Sequence, residues 1–174
     1  HPDMLVDTLA YLWTRVPPND MVMHKNVVIR YAPYAACIYH AYDDCPVNTS
    51  QNIYTDLVQW AAISRRVWVW SYILPDHVLQ PTPVIGCLSR NFKRMRDAGV
   101  KGHFVQALEP SHSNTDGGLA ELQMYLIVKL MWDPDYDVQN GIEEFARDCY
   151  GAAGPQIVAY VKMVTERETY FLED

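Results

Sequence analysis

Val67-Trp68-Val69-Trp70-Ser71-Tyr72 is the stretch on which the fold turns. It is six residues long, built almost wholly of β-branched and aromatic side chains, and followed by Pro75. Such a run fits a pleated, buried strand and is too short for a helix. Three more runs of the same kind flank it. Leu9–Trp13 ends in the breaker Val16-Pro17-Pro18-Asn19-Asp20, Val27–Tyr31 ends at Pro33, and Val100–Leu108 ends at Pro110. Helical spacing fills the gaps between the later runs. Ile53, Leu57, Trp60 and Ala61 form one apolar stripe, with Thr49 and Ser50 as expected capping residues. Ile85, Leu88, Phe92 and Met95 form a second, with Arg90, Lys93, Arg94 and Arg96 on its other faces and Gly99 at its stop.

Leu119, Leu122, Leu126 and Leu130 mark a third helix, with Asp116 near its start and Pro134 beyond its end. Ile142, Phe145 and Cys149 line a fourth; Ile157, Val161 and Val164 line a fifth, with Pro155 in its first turn. Strands alternating with helices predict a parallel sheet joined by crossovers. The link between the first two strands shows no helical pattern. The fold class expected is α/β: four parallel strands with helices, the second half of a (β/α)8 TIM barrel, followed by C-terminal helices. Residues 1–134 are assigned to the half barrel and 135–174 to a helical extension of the same domain.

The 174 residues are 49% hydrophobic and 20% charged, enough for a buried core, whereas a whole (β/α)8 barrel takes about 250 residues. The chain opens at His1-Pro2-Asp3 with neither an initiator Met nor a signal peptide, so a piece of a longer protein is expected. A net charge of −7 speaks against nucleic acid or an anionic membrane surface as partner. No apolar run nears the roughly 20 residues of a membrane span. Cys37, Cys45, Cys87 and Cys149 are too few for a disulfide scaffold. Cys37 and Cys45 flank one loop and can pair if the protein is exported; Cys87 reads as a buried thiol.

An ordered series of short motifs carries a family resemblance. It comprises Ala10-Tyr11 with Pro17-Pro18, Asn26-Val27-Val28-Ile29-Arg30, Trp70-Ser71-Tyr72 and Gly99-Val100-Lys101-Gly102. It continues through Leu119-Ala120-Glu121-Leu122, Tyr125-Leu126, Lys129-Leu130-Met131-Trp132-Asp133-Pro134 and Cys149-Tyr150-Gly151. The series resembles the C-terminal half of a bacterial domain-of-unknown-function family whose members look like glycoside hydrolases with a TIM barrel, akin to α-glucuronidases and β-hexosaminidases. The resemblance implies a carbohydrate-active protein and assigns the four strands to positions five to eight of the barrel. It also implies Trp-Asp-Tyr on the third strand, where Ser71 stands here, and Glu-Gln-Gly on the fourth, where Val105-Gln106-Ala107 stands. Those two positions are expected near the pocket, and their change favours binding over catalysis.

A barrel pocket forms at the C-terminal ends of the strands and in the loops that follow. That rule selects Tyr11, Trp13, Arg30, Tyr31, Tyr34, Trp70, Tyr72 and Gln106, a set suited to a sugar. Aromatic faces stack on pyranose rings, while guanidinium, amide and phenol groups bind hydroxyls. Taken singly, each aromatic is more often core. Hydrolysis needs two carboxyl groups about 5–9.5 Å apart. Glu109, just past the fourth strand, is the best-placed catalytic candidate; Asp76 beside His77, and Asp43-Asp44, read more readily as loop residues or caps. The resemblance implies that the partner carboxylate comes from the fourth barrel strand, which would lie upstream of His1.

Cys37, His40, Asp43, Asp44 and Cys45 crowd one loop, but their spacing matches no common zinc pattern, so neither a metal site nor a cofactor is expected. Asn48-Thr49-Ser50 matches a glycosylation acceptor. The partners expected are a carbohydrate ligand and either the rest of the parent barrel or a second copy of the chain, because half a barrel leaves strand edges bare. The alternatives are a sugar-binding module without catalysis and a structural α/β domain with its active site elsewhere in the parent.

Overall fold

The computed structural model describes residues 2–72, 84–106 and 119–167. Strands β1 (Val6–Tyr11), β2 (Val27–Ala32), β3 (Val67–Tyr72) and β4 (Gly102–Gln106) form one sheet in the order β1-β2-β3-β4. Every neighbouring pair is parallel. This is the strand arrangement of half a (β/α)8 barrel. The helices are α1 (Pro46–Ser50), α2 (Ile53–Ile63), α3 (Ile85–Asp97), α4 (Ala120–Trp132), α5 (Val138–Tyr150) and α6 (Gly154–Arg167).

The register sorts the strand residues onto two faces. Ile29 lies opposite Val67 and Tyr31 opposite Val69, and these four are fully buried. Tyr31 donates its hydroxyl hydrogen bond to the Ile53 carbonyl at 2.8 Å, which fixes this as the face that α2 covers. Arg30 pairs with Trp68, Trp70 with Phe104 and Tyr72 with Gln106 on the opposite face, which corresponds to the inside of a barrel.

The β1–β2 link does lack an α-helix; only a 3-10 turn, Leu12–Thr14, follows β1. The link is pinned to α2 instead. The Trp60 indole donates to the Arg15 carbonyl at 2.7 Å, and the Met23 amide donates to the Ile63 carbonyl at 2.8 Å. Arg15 Nη1 reaches the Gln51 carbonyl at 2.7 Å and Asp56 Oδ2 at 3.4 Å. Burial pushes the Asp56 carboxyl upward, and nearby Arg15 only partly offsets this.

Helix α3 stops where Gly99 takes φ +89°, and its end is closed by Val100 donating to Met95 and Gly99 to Arg96. That pair of bonds is a Schellman stop, which a residue without Cβ adopts at no steric cost.

Three sequence expectations change. The first strand runs Val6–Tyr11 rather than Leu9–Trp13, because Leu12 turns to φ 48° and leaves the ladder. Thr49 and Ser50 lie inside α1 rather than capping α2, whose N-cap is the left-handed Asn52. The fourth strand is described from Gly102 to Gln106; Val100 closes the α3 exit, and the Lys101 amide donates to the Val67 carbonyl of β3 at 2.8 Å.

The chain divides into two compact units. One comprises residues 1–73 and 93–107; the other comprises 74–92 and 108–174, which groups α4 with the terminal helices. In the second unit Leu122, Leu126, Ile127 and Leu130 of α4 are buried with Ile142 and Ala146 of α5 and Val161 of α6. Tyr125 and Tyr136 both donate to Glu144 Oε2, at 2.6 and 3.2 Å, and lower its acidity range. Lys129 Nζ lies 5.1 and 5.2 Å from the centres of the same two rings.

Candidate functional site

The C-terminal ends of the strands gather an aromatic cluster within the first unit. Tyr11 ends β1, Tyr72 ends β3, and Tyr34 follows β2 by two residues. Tyr34 meets Tyr72 edge-on at 5.2 Å between ring centres and Tyr11 edge-on at 5.9 Å. Tyr72 stacks on Tyr11 at 6.5 Å and on Trp70 at 6.4 Å. The Trp70 indole donates to Gln106 Oε1 at 3.1 Å, and Phe104 lies beneath it at 4.3 Å between ring centres. Trp70, Tyr72 and Gln106 thus converge as the strand parity requires. Tyr34 is 57% exposed, so the cluster reaches solvent.

Burial, and then the neighbouring Tyr11 and Tyr34, push the Tyr72 hydroxyl from 10.0 up to about 12. The phenol therefore stays a hydrogen-bond donor throughout the neutral range. The sign of the linkage follows. Tyr72 favours the folded state fully below its unfolded value, and that contribution is lost as pH rises through the folded value. Urea midpoints measured from about pH 9 to about pH 12 are expected to fall, and Tyr72→Phe should flatten part of that fall.

Arg30 sits one layer below the mouth. Its guanidinium lies 5.7 and 5.9 Å from the ring centres of Trp68 and Trp70 and ion-pairs with Asp7, so it is already engaged within the sheet. Trp13 is not on a strand. It stands on the 3-10 turn, 97% exposed, and lines a recess of about 270 Å³ with Leu12, Arg15, Tyr34, Ala35 and Gln51. Tyr34 is shared between that recess and the aromatic cluster. Tyr31 is a core residue of the helix-covered face. Glu109, Asp76 and His77 lie outside the described residues.

Ser71 and Val105 are opposite one another in the register and share the helix-covered face with Val69. Ser71 is 1% exposed. Ser71 and Val105 therefore fall away from the aromatic face, not beside a pocket on it.

The loop after β2 holds what the sequence spacing hid. One ligand atom each from Cys37, His40 and Cys45 lies within 4.8 Å of the others, and Cys37 Sγ is 3.1 Å from His40 Nδ1. Burial raises the Cys37 thiol above its ordinary value. Asp43 is held instead by Arg94 Nε at 2.5 Å. Asn48 is fully buried, accepts from the Cys37 amide at 2.7 Å and donates to the Cys37, His40 and Ala41 carbonyls. In this fold its amide nitrogen is enclosed by main chain, so the Asn48-Thr49-Ser50 motif does not present a glycosylation acceptor.

Residues 1–162 match the family model described as Domain of unknown function (DUF4838). The chain belongs to that family. No curated protein and no solved structure matches it. No helix among the described residues of this DUF4838 chain is long and apolar enough to cross a membrane.

Proposed function

We propose that the aromatic face of the sheet binds a carbohydrate, as part of a glycoside-hydrolase-like barrel completed by the rest of the parent protein or by a second copy of the chain. The observation that carries this reading is the convergence of Trp70, Tyr72, Tyr11 and Tyr34 with the Gln106 amide at one end of a parallel sheet. Aromatic planes beside fixed amide and phenol groups match a pyranose ring, apolar on its faces and polar around its rim. The location agrees with the general rule for parallel barrels.

Binding without catalysis is the second reading, favoured by the carboxylate inventory of the sheet. Among the described strand residues the aromatic face carries one carboxylate, Asp7, and Arg30 neutralises it. Hydrolysis would rest on Glu109 together with a carboxylate from the rest of the barrel.

Titration of the intact parent with oligosaccharides, followed by Trp fluorescence, tests the site. Trp70→Ala is expected to weaken binding about tenfold, the loss of one stacking plane worth roughly 1.4 kcal/mol. Gln106→Ala should weaken it as well, and Glu109→Gln should abolish turnover while sparing affinity. Unchanged affinity in both Trp70→Ala and Gln106→Ala would remove the site from consideration.

A further inference from the structure

We propose that Cys37, His40 and Cys45 form a binding site for one zinc ion at the C-terminal end of β2. Two thiols and an imidazole are the donor set that zinc takes when three ligands come from protein and a fourth position stays open. Around a tetrahedral zinc with Zn–S near 2.3 Å, neighbouring sulfurs stand about 3.8 Å apart. Here all three ligand atoms already lie within 4.8 Å of one another. The Cys-x2-His-x4-Cys spacing fits no familiar zinc signature, because the loop between β2 and α1, not a zinc knuckle or a helix, supplies the geometry.

The loop is built before any metal arrives. The Asn48 carboxamide ties the main chain at Cys37, His40 and Ala41, and the Cys45 amide donates to the Ala41 carbonyl at 3.3 Å. The Asn48 side chain thus holds the Cys37 and His40 end of the ligand run as a positioning residue, and the main-chain bond to Ala41 holds the Cys45 end. The histidine ring is turned toward the first thiol. Its Nδ1 faces the Cys37 sulfur, while its buried Nε2 finds no hydrogen-bond partner among the described residues. As the ion binds, each thiol gives its proton to solvent and the imidazole coordinates in its neutral form.

The test uses the full chain, reduced and stripped of metal by a chelator, and titrated with Co²⁺. The expected result is a thiolate-to-cobalt charge-transfer band that saturates at one equivalent and is bleached by Zn²⁺. Cys37→Ser and Cys45→Ser should each weaken binding by more than about a hundredfold, since even loss of an outer-shell partner costs 10–100-fold. Cys149→Ser, at an exposed position on α5, should leave the titration unchanged. Circular dichroism identifies any variant that fails to fold, and the wild-type titration stands without the variants. Absence of the charge-transfer band, its survival in both serine variants, or a Cys37–Cys45 disulfide in the chain isolated without reductant would overturn the assignment.

Discussion

Asn48→Ala is expected to lower the stability of the fold by about 3 kcal/mol. The residue is fully buried; its carboxamide oxygen accepts from the Cys37 amide, and its two N–H groups are shared among the Cys37, His40 and Ala41 carbonyls. Alanine removes the partner and leaves the loop's amide and carbonyls inside, each orphaned group costing about 1–3 kcal/mol, with partial relief where the half-buried loop meets water. For a chain of this size the thermal midpoint should fall by roughly 6–12 °C. Asn48→Asp sharpens the test. It keeps the acceptor for the Cys37 amide but sets a carboxylate against three carbonyl oxygens, so it should be no more stable than Asn48→Ala. A thermal or urea melt of the two variants decides the matter, and an Asn48→Ala midpoint within about a degree of wild type would show that the carboxamide does not hold the loop.

The second large effect lies between α4 and α5. Leu126 is fully buried on α4, and Leu126→Ala should cost about 3 kcal/mol through lost burial and the cavity left behind. Gly141, inside α5, faces it closely. A Cβ at Gly141 would stand 2.8 Å from Leu126 Cδ2 and 2.7 Å from Tyr136 Cε1. Two effects oppose each other in Gly141→Ala: a gain of about 1 kcal/mol in helix propensity and an overpacking cost of about 1–3 kcal/mol. Both contacts are under 3 Å, so the clash wins and the net change is a loss of about 1 kcal/mol. In the double variant the truncated Leu126 makes room for part of the new methyl. The combined loss should therefore fall short of the sum by at least about 0.5 kcal/mol, as residues in contact couple on that scale. Strict additivity in urea melts would mean that the two positions do not share this space.

Much of the architecture is legible in local pattern. Val67–Tyr72 is a strand from end to end because β-branched and aromatic residues leave it no better conformation. Parallel pairing in chain order follows from helices placed between later strands, since a crossover must return the chain to the same edge. The stripe Ile85, Leu88, Phe92 and Met95 is buried as its spacing requires, and Gly99 ends its helix. Trp70, Tyr72 and Gln106 share a face because strand side chains alternate with a period of two.

Tertiary structure alone decided the rest. Leu12 leaves the ladder at a positive φ, so Trp13 reaches solvent on a turn instead of extending β1. The side of the sheet that α2 covers is set by packing, which sends Tyr31, Ser71 and Val105 to the helix face and leaves Arg30 and Trp70 on the other. The Asn48-Thr49-Ser50 motif reads as a surface acceptor by composition, yet the fold closes main chain around Asn48. Cys37, His40 and Cys45 look ill-spaced along the chain and meet because the buried carboxamide ties Cys37 and His40 while a main-chain bond to Ala41 ties Cys45. Local propensity reaches a few residues in each direction, whereas contacts made across a loop or a sheet depend on how distant segments pack.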